Sequence, residues 1–183
     1  MKSVSALLCF ITVLLSSFTP QPSDKIKGKD PVVKNAFSTS WETNITWNES
    51  ATQNGKIYFN KRSLQEINTG VLENGYVLAF IKGYNFSNMP LTEKPVALPF
   101  EFFQPDEAKA QSISWKLEKN AGEVLIALYL NEDMVNQFQQ FQKGIQVRYF
   151  VLTPQFLKQH RLTQQQAHQL SYTKLVSLLQ VEP

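Results

Sequence analysis

The chain has 183 residues, 43% of them hydrophobic and 12% aromatic, with 18 Lys and Arg against 15 Asp and Glu. So even a charge balance argues against a nucleic-acid binder, which concentrates basic charge on one face. The length suits one sizeable core and a single domain, and no segment after the start is apolar for long enough to cross a bilayer as a helix.

Residues 1–23 read as a secretory signal peptide. Met1-Lys2 is a basic start, Ala6 to Leu15 an apolar run too short to span a membrane comfortably, and Ser16 to Ser23 a small, polar, proline-broken exit. The expected location is therefore periplasmic or extracellular. Cys9, the single cysteine, lies inside the apolar run rather than at its end, which argues against lipid anchoring there. Removing the leader leaves a cysteine-free chain with no disulfide and no thiol chemistry, a composition that leans toward a bacterial source. Residues 24–35, with Gly28 and Pro31 among charges, read as a flexible N-terminal segment, and residues 36–183 as the folded domain.

From there the apolar residues keep a strand rhythm. Phe37, Thr39 and Trp41 alternate with Ser38 and Ser40, Ile45 and Trp47 flank Thr46, and Ile57-Tyr58-Phe59 follows the turn pair Asn54-Gly55. Leu64, Ile67, Val71 and Leu72 fall at helical spacing, interrupted by Gly70, which predicts about two turns of helix or a bent connector before Asn74-Gly75. Tyr76 to Ile81 is an apolar run suited to a central strand covered on both faces. Val96 to Phe103 resumes as strand, with Pro99 marking an edge or bulge because it cannot donate to a ladder.

Ile113, Trp115 and Leu117 share one strand face, Asn120-Ala121-Gly122 turns the chain, and Glu123 to Leu130 returns, so residues 111–130 read as a hairpin. Residues 131–143 are ambiguous, with a short helix suggested by Phe138 and Phe141, and Gly144 to Leu152 is the last strong strand. Thr153-Pro154, the Thr163/Gln166 pair and Ser171 are helix starts, and Tyr172, Leu175, Val176 and Leu179 form an apolar stripe expected to pack on the sheet. The elements sum to a mainly β protein. The expected fold is a two-layer antiparallel β-sandwich with a short central connector helix and a C-terminal helix closing one edge or end.

Three stretches, in order, resemble a group of small uncharacterised secreted proteins of Bacteroidota-type bacteria. They are Leu72 to Phe80, Val96 to Phe100 with its Leu-Pro-aromatic step, and Val147 to Pro154 followed by Leu170 to Leu175. The resemblance covers roughly residues 41–183. It implies a β-sandwich-like exported domain and carries no activity or functional residues with it.

Catalytic chemistry has little support. His160 and His168 are the two histidines, and zinc needs three or four converging ligands. No GxSxG elbow is present for a serine hydrolase. Glu101, with Asp106 and Glu107 near it, is the one candidate for carboxylate-dependent hydrolysis of a glycoside, against an ordinary reading as solvated strand charge. Asn131-Glu132-Asp133 lacks the alternating oxygen ligands of a calcium loop. Asn44, Asn48 and Asn85 begin glycosylation sequons that matter only in a eukaryotic secretory pathway.

The aromatic residues are the stronger signal. Trp41, Trp47, Tyr84 and Phe86 lie near turns and polar residues, and a flat row of exposed rings is how β-sandwiches grip sugars. The expectation is thus a non-catalytic binding or structural module needing no cofactor or metal, with carbohydrate or another envelope component as ligand. A small carboxylate-dependent hydrolase such as a glycosidase is the alternative.

Overall fold

The computed structural model describes residues 35–83, 94–104 and 111–183. Two antiparallel sheets form the body. The first runs in the order β1 (Ala36–Ser38), β9 (Gln146–Leu152), β4 (Tyr76–Lys82), β5 (Val96–Ala97). The second runs in the order β2 (Asn48–Thr52), β3 (Gly55–Ser63), β8 (Glu123–Asn131), β7 (Gln111–Asn120), β6 (Phe100–Gln104). The sandwich expected from the alternation is present.

The inner faces meet in one core. Val77, Ala79 and Ile81 of β4 and Val147, Tyr149 and Val151 of β9 pack with Ile113 and Trp115 of β7 and Val124, Ile126, Leu128 and Leu130 of β8. Both openings of the sandwich are closed. At the Gly122 end, Leu64, Ile67 and Val71 enter from the β3–β4 connector. At the opposite end, α2 (Glu132–Phe141) inserts Met134 and Phe138.

The connector is the bend and short helix that its spacing predicts. Only Thr69–Asn74 (α1) is helix, capped by the Asn68 side chain accepting from the Val71 amide. The preceding turn gives its backbone to the β7–β8 hairpin instead. Leu64 N donates to the Gly122 carbonyl and Gly122 N to the Ile67 carbonyl. Gly122 takes φ +76° in that two-residue turn, a left-handed conformation that glycine alone adopts without strain.

Pro99 does more than mark an edge. Val96 and Ala97 pair with β4 in the first sheet, whereas Phe100 onward pairs with β7 in the second, so the Leu98-Pro99 step carries the chain from one sheet to the other. The segment Ile45–Trp47 is also not a strand. The strand begins at Asn48 and is exposed on both faces, so it has no apolar pattern to reveal it.

The C-terminal helices cover a face rather than an edge or end. Helices α3 (Pro154–Gln159), α4 (Gln164–His168) and α5 (Tyr172–Leu179) lie over the outer side of the four-stranded sheet. Phe156, Leu157, Ala167 and Leu175 pack there on Leu78, Phe80, Phe150 and Leu152. The starts read from sequence are present: Thr153, Thr163 with its reciprocal Gln166 capping box, and Ser171. This helical layer explains why β4 and β9 are apolar on successive residues, since both of their faces are buried.

Candidate functional site

The outer face of the five-stranded sheet breaks the rule its exposure imposes. Cross-strand partners share a face, which places Ile57 and Phe59 of β3 beside Tyr129 and Ala127 of β8, with Leu125 one step along. A sheet face turned to water is normally polar. Ile57, Phe59, Leu125 and Tyr129 belong to neither core cluster; the first three are half-buried, Tyr129 keeps 38% of its surface exposed, and Ala127 between them is buried. Together with Glu118 they line a shallow depression of about 240 Å³. On the other side of Tyr129 a second depression, about 330 Å³, is lined by Thr52, Asn54, Lys56 and Asn131.

Polar groups rim the apolar strip. Asn48 and Ser50 of β2 lie directly across from Phe59 and Ile57. Ser114 and Lys116 of β7 lie across from Tyr129 and Ala127, and Glu101 of β6 beyond Ser114. The Glu101 carboxylate accepts from Lys116 Nζ and from Ser114 Oγ at 3.0 Å, and Lys116 holds its pKa below the usual carboxylate value. That direction does not suit the proton-donating acid of a glycosidase, which needs a raised pKa, and leaves the base or nucleophile role untouched. Among the described residues no group of three His, Cys, Asp or Glu side chains converges as a metal site would require.

The aromatic residues singled out from sequence lie elsewhere. Trp47 is in the inter-sheet core, edge-on to Trp115 at 5.9 Å and to Phe138 at 5.6 Å. Trp41 packs on the helical layer, 5.3 Å from the Tyr172 ring, with Lys82 Nζ 4.2 Å from its centroid. The two thus serve different cores and do not form one row. Tyr84 and Phe86 lie outside the described residues. Proximity to turns does not mark out Phe59 and Tyr129, although their strands carry a signal. Ile57-Tyr58-Phe59 and Val124 to Leu130 are runs without polar alternation, the pattern that in β4 and β9 means two apolar faces.

The histidines serve the helical layer. His160 lies against the Phe156 ring at 4.3 Å, and His168 Nδ1 is hydrogen-bonded to the Tyr76 hydroxyl at 2.8 Å. Tyr76 is also the floor of a separate cleft, about 180 Å³, with Val71, Leu72, Gly75, Val77, Gln164 and Lys119 around it. Lys119 continues the inward face of Ile113, Trp115 and Leu117 and pairs with the buried Val124. Its Nζ lies 4.3 Å from the Tyr76 ring centroid.

Burial pushes the Lys119 ammonium below the ordinary lysine value, with no acidic neighbour among the described residues opposing it. A folded-state pKa below the unfolded one means that the folded protein holds this proton less tightly. The charge therefore costs stability below the folded pKa, and the cost fades as pH rises through it toward the unfolded value. Lys119→Met should accordingly melt a few degrees above wild type at neutral pH, with the gap narrowing at strongly alkaline pH. Paired thermal melts read this directly, and a variant that melts lower at neutral pH would contradict it.

Comparison with protein-family models, curated proteins and solved structures gave no match.

Proposed function

We propose that the protein is an exported, non-catalytic binding module that presents the outer face of its five-stranded sheet to carbohydrate. The observation that carries this reading is the Ile57, Phe59, Leu125, Ala127 and Tyr129 strip, apolar on a face that exposure should make polar. Sugars combine a weakly apolar ring face with a perimeter of hydroxyls. A flat surface with exposed aromatic rings and hydrogen-bonding groups at its edge complements both. Here the Tyr129 ring stands between an apolar depression and one edged by Thr52, Asn54 and Lys56.

The non-catalytic part of the reading is supported by the surroundings of Glu101, whose carboxylate is occupied by Lys116 Nζ and Ser114 Oγ. Export rests on the leader-like sequence of residues 1–23. A glycan array probed with the protein tests the ligand class: retention of one glycan family is expected, and retention of none removes carbohydrate. Turnover on a glycoside panel that disappears in Glu101→Gln would overturn the non-catalytic reading.

A further inference from the structure

We propose that the Lys119 cleft is a second, separate binding site, for a small carboxylate with a short aliphatic tail. Three observations on the same few residues carry it. First, the cleft holds one cation. Lys119 projects from the end of the inward face of β7, its ammonium meets the face of the Tyr76 ring, and no carboxylate among the described residues pairs with it. A partly desolvated ammonium is incompletely offset by a ring quadrupole, and an anion arriving from solvent completes it.

Second, part of the remaining lining is apolar, beside the polar Gln164 and the Gly75 backbone. Val71 and Leu72 of α1, Val77 of β4 and the Tyr76 ring face the same space. They suit a hydrocarbon tail rather than a hydrated inorganic ion. One ammonium, with no guanidinium fork beside it, matches a single negative charge. A phosphate, carrying close to two charges, requires more donors.

Third, the surround is fixed. The Tyr76 hydroxyl is hydrogen-bonded to His168 Nδ1, which holds the ring as a floor beneath the ammonium. Gln164 Nε2 donates to the Glu73 carbonyl at 2.9 Å and the Gly75 carbonyl at 3.0 Å, tying α4 to the end of α1 at the rim. A site held before its ligand arrives loses less entropy on binding. The ammonium's lowered pKa is consistent with a cation awaiting its counter-ion.

The test is a titration of the full chain, carrying ¹³C-labelled lysine and valine, with butyrate, butyramide and inorganic phosphate at constant ionic strength. Butyrate is expected to shift the Lys119 Cε and Val71 and Val77 methyl resonances saturably, while uncharged butyramide does not. Lys119→Met should weaken the butyrate response about ten- to hundredfold, the worth of one charge-assisted hydrogen bond. Tyr129→Ala should leave it unchanged, which separates this site from the sheet face. An equal response to butyramide, a stronger response to phosphate, or no saturation would each overturn the proposal. Should Lys119→Met fail to fold, the butyrate–butyramide pair on the wild-type chain still decides the matter.

Discussion

Trp115→Ala should cost about 3–5 kcal/mol of folding stability, the range for truncating a large buried aromatic. Trp115 is 0% exposed and sits mid-strand in β7, between Phe100 of β6 and Leu128 of β8. Its ring begins a chain of contacts through the inter-sheet core: Trp47 stands edge-on to it, Phe138 edge-on to Trp47, and Tyr58 lies 4.3 Å from Phe138. That chain joins β7, the segment before β2, helix α2 and strand β3. Truncation leaves a void that these rings cannot fill without leaving their own contacts. Against the roughly 5–15 kcal/mol total of an ordinary domain the loss is large. Urea denaturation measures it, and a loss below about 1 kcal/mol would mean that the core repacks around the gap.

Arg148→Met should be nearly as damaging, at about 2–4 kcal/mol, for a different reason. Arg148 is 4% exposed, and its guanidinium ties together three parts of the chain. Nε donates to the Thr39 carbonyl at 2.8 Å, and Nη1 donates to the Tyr172 hydroxyl at 2.7 Å and the Glu182 carbonyl at 2.6 Å. The ring faces of Phe150 and Tyr172 lie 5.2 and 5.7 Å away. Methionine fills the volume and removes the cost of burying a charge, but it leaves the half-buried Thr39 carbonyl and Tyr172 hydroxyl without their donor, at about 1–3 kcal/mol each, while the exposed Glu182 carbonyl returns to water. Arg148→Lys should rescue little, since a single ammonium cannot reach three acceptors set by a planar fork. The specific signature is faster amide exchange in residues 35–42 and 171–183 in excess of the increase that the global loss produces at the sheet centre. A uniform increase across the chain would instead mean that Arg148 acts only through global stability.

That cluster also shows what local pattern can and cannot reveal. The Arg148-Tyr149 strand and the Ser171-Tyr172 helix start are readable separately, one from alternation and the other from capping. Their meeting is a tertiary event with no local trace, because it depends on how three helices cross a sheet. The same limit explains the aromatic residues. Trp41 and Trp47 sit among polar neighbours in sequence, yet one packs under a helical layer and the other under α2. Proximity to a turn says nothing about what folds back over it.

The sheet face was more legible than it looked. Strand β8 has no polar residue between Val124 and Leu130, and only one of its faces can point into the inter-sheet core. For β4 and β9 the second face is met by the helices that the capping residues announce. For β8 no such partner is announced, so an apolar outer face follows from pairing the runs in β3 and β8. Strand β2 was hidden for the converse reason: an edge strand exposed on both sides needs no apolar residue at all.

The decisive measurement concerns that outer face. Methyl and amide shifts recorded while the wild-type protein is titrated with a glycan retained on the array should concentrate at Ile57, Phe59, Leu125, Ala127 and Tyr129. Tyr129→Ala should then weaken binding about tenfold, the equivalent of roughly 1.4 kcal/mol of lost stacking, with stability little changed because the ring lies outside both cores. Shifts confined to the helical layer or the Lys119 cleft, or an affinity indifferent to Tyr129, would contradict the assignment of this sheet face as the binding surface.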